Sequence, residues 1–213
     1  MTTPSLPVLV IGDKNLSSWS LRPWLAMRQL NVPFEEARLS LDTPEFYERI
    51  RHYSPSGRVP VLNHDGLVVW DSLAICEYVN ETFLDGAGWP RDRAARARAR
   101  CVSAEMHSGF GDMRRFLPMN WRKRVPNFTP PPEAQRDVER VTELWRECRG
   151  RSAGQGEFLF GEFSIADAMF APVATRFISY DIKVGPVERA WMDAMFALPA
   201  LQEWLKAAES EKT

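Results

Sequence analysis

Residues 58–83 read RVPVLNHDGLVVWDSLAICEYVNETF, and the fold turns on this stretch. The apolar runs after Pro60 and after Gly66 are short strands joined at Asp65-Gly66, a dipeptide that favours the positive φ angles of a tight hairpin turn. SLAICEYVNETF follows with its apolar residues at helical spacing. Pro60 stands where a proline removes a ladder hydrogen bond, so it belongs at the start of a strand or on an edge. At a strand start, especially with a cis bond, it turns Val59 outward and leaves that residue's amide and carbonyl free to pair with an extended ligand. A tolerated proline on an edge strand is the alternative.

Upstream, PVLVIG (residues 7–12) is a short apolar run ended by glycine, as in a strand buried on both faces. Residues 16–32, LSSWSLRPWLAMRQLNV, read as a helix that Asn31 closes. Pro23 fits if that helix begins only a few residues earlier, which puts the serine cluster at its N-terminus. FEEARLSL (34–41) alternates like a strand, and Thr43-Pro44 offers a cap and first residue for the next helix. The order βαβα then ββα predicts a compact α/β unit with a mixed sheet over residues 1–84. DGAGWPR (85–91) has the composition of a linker. Residues 92–213 lack strand patterns, and the second domain is expected to be all helical, with helices over 91–117, 131–149, 164–180, 186–197 and 201–209. Loosely ordered segments are expected around VPNFTPPP and GRSAGQGE.

The chain has 213 residues, 45% hydrophobic and 26% charged, with a net charge of −1, the composition of a soluble globular protein. No global basic field favours nucleic acid or an anionic membrane. The arginine-rich run 91–100 lacks interleaved aromatics, so it reads as a solvated or dimer-facing helix surface. Cys76, Cys101 and Cys148 form no CxxC pair and read as reduced thiols. His52, His64 and His107 have no metal-ligand spacing, and no metal is expected. The opening MTTPSLPVLVIGDK has neither the basic segment nor the cleavage site of a signal peptide, and no apolar run approaches the ~20 residues of a membrane helix. The expected location is cytoplasmic.

Chemistry concentrates at helix starts. Ser17, Ser18 and Ser20 lie where free amides and the helix dipole favour an anion and a hydroxyl can donate to it. Plain capping is the more frequent use of such serines. Asp71-Ser72 opens the third helix without the Glu or Gln that completes a capping box, so its side chains are expected to be partly free for a ligand's ammonium and carboxylate, although simple capping is the more frequent use of such residues. Ser164 to Asp167 does have an acid in the capping-box position and reads as structural. Met106, Phe110, Met113 and Leu117 recur at helical spacing, a stripe more often core than pocket.

Together these residues resemble a known family. Ser17-Ser18-Trp19-Ser20-Leu21-Arg22 is similar to the SSxSxR signature of serine-type, zeta-like cytosolic glutathione transferases, and Val59-Pro60 to the family's cis-proline. Asp71 to Ile75 resembles its (E/Q)SxAI, and Gly161 to Asp167 its folding motif. The resemblance covers nearly the whole chain. It implies a thioredoxin-like N-terminal domain, a helical C-terminal domain, and a detoxifying enzyme that takes glutathione as co-substrate. Ser17, with Ser18 as second choice, would then donate to the glutathione sulfur. Val59 would pair its main chain with the cysteinyl unit, Arg58 and Pro60 would also bind glutathione, and Asp71 with Ser72 would hold the γ-glutamyl end. Met106, Phe110 and Arg114 would face a small hydrophobic electrophile, and the protein would be a homodimer.

The chemistry is of feasible size. Lowering a thiol pKa near ~8.5 by about 2 units requires about 2.7 kcal/mol. One charge-assisted hydrogen bond supplies about 1.5 to 3 kcal/mol, and a helix N-terminus adds roughly 0.3 to 1. A thiol-disulfide oxidoreductase would need a cysteine at that helix start, where this chain has serine. An isomerase of the maleylacetoacetate type and a non-catalytic glutathione-binding module remain as alternatives.

Overall fold

The structure is a computed structural model that describes residues 5–211. The outermost residues of the two expected domains, including the start of the segment read for a signal peptide, lie outside the described residues. The N-terminal part runs β1 (Val8–Ile11), α1 (Ser18–Gln29), β2 (Glu35–Arg38), α2 (Pro44–Tyr53), β3 (Val61–His64), β4 (Leu67–Trp70) and α3 (Ser72–Phe83). The strands form one mixed sheet in the order β2-β1-β3-β4, with β1 parallel to β2 and antiparallel to β3. This is the thioredoxin-like α/β arrangement that the sequence implies.

Local chemistry explains most of these boundaries. Asp65 and Gly66 have φ of 48° and 81°, as a tight hairpin turn requires. Asn31 closes α1 at φ 56°, and Thr43 accepts the Phe46 amide at 3.1 Å to cap α2. Strand β1 alternates: Val10 packs with Leu39, Phe46, Ile50 and Val61 under α2, while Leu9 and Ile11 join the main core on the other face. Pro23 does not sit in the first turn, since α1 begins at Ser18 and Pro23 is its sixth residue. Its missing amide therefore falls where an intrahelical donor to the Trp19 carbonyl would be.

The second part consists of α4 (Arg93–Ser108), α5 (Gly111–Phe116), α6 (Pro132–Arg151), α7 (Ile165–Ser179), α8 (Pro186–Ala197) and α9 (Pro199–Ser210). The stretch expected as one helix over 91–117 is two. Phe110 adopts the left-handed conformation at φ 61°, and the Asp137 carboxylate on α6 accepts the Met113 amide at 2.9 Å in the first turn of α5. The two segments expected to be loose are tethered by hydrogen bonds: Val125 N donates to Ser179 O at 2.8 Å and Gln155 N to Ser152 O at 3.0 Å. No helix among the described residues is long and apolar enough to cross a membrane.

Helix α7 is buried almost throughout and packs against α1. Its start is the capping box read from the sequence: Asp167 accepts the Ser164 amide at 2.9 Å and the Ser164 hydroxyl at 3.0 Å. The same buried carboxylate also takes the Leu159 amide and the Trp191 indole, both at 2.9 Å.

Candidate functional site

Two adjoining cavities open beside the N-terminus of α1. The first, of about 520 Å³, is lined by Trp19, Arg58, Val59, Pro60, Asp71, Ser72 and His107. The second, of about 680 Å³, is lined by Ser17, Ser18, Trp19, Arg58, Val59, Arg114 and Arg176, with Leu41, Phe46, Tyr47 and Met119 as an apolar floor. Trp19, Arg58 and Val59 border both, so the pair forms one two-chambered cleft. The Val59–Pro60 bond is cis, and Val59 precedes the first paired residue of β3.

Ser17 is the N-cap of α1. Its Oγ accepts the Ser20 amide at 3.3 Å and its hydroxyl donates to Ser20 Oγ at 2.7 Å, which also accepts the Gly12 amide at 3.1 Å. Ser18, the first residue of the helix, has a side chain that bonds to no described residue although it is only 7% exposed. A free hydroxyl, a capping hydroxyl and a helix dipole thus converge on the second chamber.

Asp71 differs from expectation. It caps α3 without a capping box: its Oδ1 accepts the amides of Leu73 at 2.9 Å and Ala74 at 3.3 Å. It does so at φ 78°, a region non-glycine residues rarely adopt. Its Oδ2 lies 3.1 Å from His107 Nε2, so the carboxylate is largely committed. Ser72 Oγ accepts from Arg22 Nη1 at 3.5 Å, at the limit of a hydrogen bond.

Arg22, Arg114 and Arg176 converge behind the cleft. Their guanidinium groups donate to main-chain carbonyls: Arg22 to Met169, Arg114 to Gly109 and Met106, and Arg176 to Leu117 and Pro172. Burial pushes all three pKa values down, and mutual repulsion among the arginines adds to this for Arg22 and Arg176. Arg22 Nη2 and Arg114 Nη1 are buried without a hydrogen-bond partner. The Trp19 ring lies 4.3 Å from the Arg22 guanidinium and 4.6 Å from that of Arg114, with the His107 imidazole edge-on at 5.3 Å.

Comparisons with known proteins agree with this geometry. The glutathione S-transferase N-terminal domain profile matches residues 16–82, and the C-terminal domain profile residues 131–207. The chain belongs to the glutathione S-transferase family. A probable maleylacetoacetate isomerase of Caenorhabditis elegans is 29% identical over 199 residues, 91% of this chain and 90% of that one. Dichloromethane dehalogenase of Methylorubrum extorquens is 44% identical over 75 residues, 34% of this chain and 26% of its own length. Among solved structures, a glutathione transferase homologue from Burkholderia with bound glutathione has the same fold, with TM-score 0.74, 23% identity, and coverage of 97% of this chain and 100% of that one. A zeta-class maleyl pyruvate isomerase also scores 0.74, at 19% identity over 97% of this chain and 100% of that one.

In this family member the structure gathers Ser17, Ser18, Arg58, Val59, Pro60, Asp71, Ser72 and Arg114 around the cleft. It does not bring Met106 or Phe110 there. Met106 is fully buried and Phe110 is 7% exposed, and both pack in the core with Met113 and Leu117, the rest of that stripe. Their place is taken by His107 and Arg176. The signal for Arg176 was present, since it is the lone charge after Asp167 in a helix of otherwise apolar or small polar residues. Nothing in the sequence pattern marks His107, whose role depends on a carboxylate from the other part of the chain.

His107 links the two parts. With Nε2–H donating to Asp71, its buried Nδ1 is left without a partner. Burial pushes its pKa below the usual 6.5, Asp71 opposes this, and Arg22 and Arg114 reinforce it. The depressed value means that the folded state favours neutral imidazole. This contribution to stability is complete above the unfolded value and is lost as pH falls through the folded one. An NMR titration of the ring should therefore show a midpoint below 6.5, and Asp71→Asn should move it lower still. A midpoint above 6.5, or an upward move in Asp71→Asn, contradicts this balance.

Proposed function

We propose that the protein binds reduced glutathione in the first chamber and activates its thiol through a serine hydroxyl at the start of α1, for attack on a small electrophile in the second. What carries this reading is that Ser17, Ser18 and Val59 border one cavity at a helix N-terminus. The Val59 main chain would pair with the cysteinyl unit, the Ser72 hydroxyl and amide would hold the γ-glutamyl carboxylate, and Asp71 would take its ammonium with the lone pair that Oδ2 keeps beside His107. The thiolate is then favoured by a hydroxyl donor, the α1 dipole and the unneutralised arginines behind the cleft, so no general base is needed.

Ser17→Ala is expected to leave glutathione affinity within about threefold, because the peptide ends supply most contacts, while the bound thiol's pKa rises by about 1 to 2 units. Ultraviolet thiolate absorbance across a pH series reads this directly. A larger rise in Ser18→Ala moves the role to the hydroxyl without a partner, and no rise in either variant refutes serine activation. Glutathione binding with no thiolate signal in the unmodified protein would favour the non-catalytic module.

A second reading, isomerisation of a maleylacetoacetate-type substrate, is favoured by one observation. Arg58, Arg114 and Arg176 line the electrophile chamber, which suits a carboxylate on the substrate better than a purely hydrophobic one. Arg176→Gln should lower kcat/KM for a carboxylate-bearing electrophile about tenfold or more, yet change that for neutral chlorodinitrobenzene less than about threefold. Equal losses on both would count against a carboxylate site.

The same proposal includes a reducing, cytoplasmic location and a twofold homodimer. Leu67 and Trp70 on edge strand β4 are half exposed, which leaves apolar surface for a partner copy. Glu77 on α3 is engaged within the chain by Arg100 at 3.0 Å and by the Trp89 indole at 3.0 Å. Sedimentation should give about twice the chain's 24.4 kDa at micromolar concentration, and a Leu67→Lys variant should shift toward monomer.

A further inference from the structure

The loop that delivers Ser17 is held by the far end of the chain. Glu211 Oε1 accepts the Lys14 amide at 2.6 Å, and Oε2 the Asn15 amide at 3.0 Å. The Glu211 side chain is 9% exposed, and its carboxylate lies 3.3 Å from Arg38, which also reaches Asp13 at 2.9 Å. The loop's remaining main-chain bonds run the same way. The Lys14 carbonyl accepts the Trp204 indole at 2.9 Å, and the Asn15 carbonyl accepts the Trp121 amide at 3.1 Å. Asn15 Oδ1 accepts the Arg122 amide at 2.9 Å. The amides and carbonyls of Lys14 and Asn15 are thus satisfied by residues 121 and 204–211, not by the sheet or by α1. From Asn15 the chain passes directly to the cap, with Ser17 N on Asp13 O at 2.8 Å and Ser18 N on Leu16 O at 3.0 Å.

We infer that Glu211 is a positioning residue for the thiol-activating serines. By accepting two successive amides just ahead of the cap, its carboxylate sets where the first turn of α1 and its hydroxyls stand against the cleft. Charge-assisted bonds to main-chain amides are short and directional, and displacement of a donor by about 1 Å is enough to weaken its bond to a sulfur anion severely. The tail is itself anchored: Arg122 donates to the Glu211 carbonyl at 2.9 Å, and the Trp121 indole to Glu209 at 3.1 Å. This inference rests on the serine reading above.

The test titrates glutathione's thiol, by ultraviolet absorbance, on the full-length protein and on Glu211→Gln and Glu211→Ala, with glutathione affinity measured by calorimetry. In Glu211→Gln one acceptor is replaced by an NH₂ group facing an amide donor, so one bond is lost. Both variants should fold and bind glutathione within about threefold of the unmodified protein, while the bound thiol titrates higher, by about half a unit in Gln and about one unit in Ala. Unchanged thiol titration in a folded Glu211→Ala protein overturns the inference. So does failure of Glu211→Gln to fold, or loss of affinity in step with stability, since both are marks of a general structural role. Unmodified protein that binds glutathione without lowering its thiol pKa sinks the serine reading itself, an outcome visible without any variant.

Discussion

A single buried carboxylate organises the architecture on which the cleft depends. Asp167 has no cation beside it, and it is tolerated because four donors from three places in the chain converge on its two oxygens: Leu159 N, Ser164 N, Ser164 Oγ and Trp191 Nε1. Burial pushes its pKa up, and each of those donors pulls it back. The result is a fixed start for α7, the helix against which α1 packs. From that start, Met169 presents its carbonyl to Arg22, and Arg176, two turns further along the same face, reaches the second chamber. The charge that shapes the site is therefore placed by a structural motif remote from it.

The arginines behind the cleft are only partly compensated by nearby carboxylates. Arg22 and Arg176 are buried and Arg114 is half-buried against carbonyl dipoles, and Arg22 and Arg114 each hold a nitrogen atom with no partner among the described residues. Carbonyl oxygens satisfy geometry but do not neutralise charge, and an uncompensated buried cation is expensive. On the proposed reading, an anion in the cleft would lower that cost, as a thiolate at the α1 terminus or as a carboxylate on a substrate. Trp19, packed against two of these cations, borders both chambers.

Features set by a residue and its immediate neighbours were legible in the sequence. The Asp65-Gly66 turn, the Asn31 terminus, the Thr43-Pro44 helix start and the Ser164–Asp167 box each depend on contacts within a few residues. What was illegible depends on partners far along the chain. The break at Phe110 has a non-glycine residue in the left-handed region, and the amide it frees is met by Asp137 from another helix. The cap at Asp71 was one of two readings its sequence allowed, but the His107 contact was hidden because it joins the two parts of the chain. Sequence separation hides the Glu211 clamp most thoroughly, since its two bonds span nearly the whole chain.

Capping and thiol activation at Ser17 are not rival uses of one side chain. A hydroxyl has two lone pairs and one hydrogen. The cap uses a lone pair, which accepts the Ser20 amide, while the hydrogen is donated separately to Ser20 Oγ. Turning that hydrogen toward an anion would exchange a neutral bond of about 0.5 to 1.5 kcal/mol for a charge-assisted one of about 1.5 to 3. Ser20 would still accept the Gly12 amide, so no buried oxygen is stranded by the exchange. The helix start can thus remain capped throughout, and its rigidity is what gives the donor a fixed direction. A stability loss on removing Ser17 therefore says nothing against activation. Only the thiol's own titration separates the hydrogen from the lone pair.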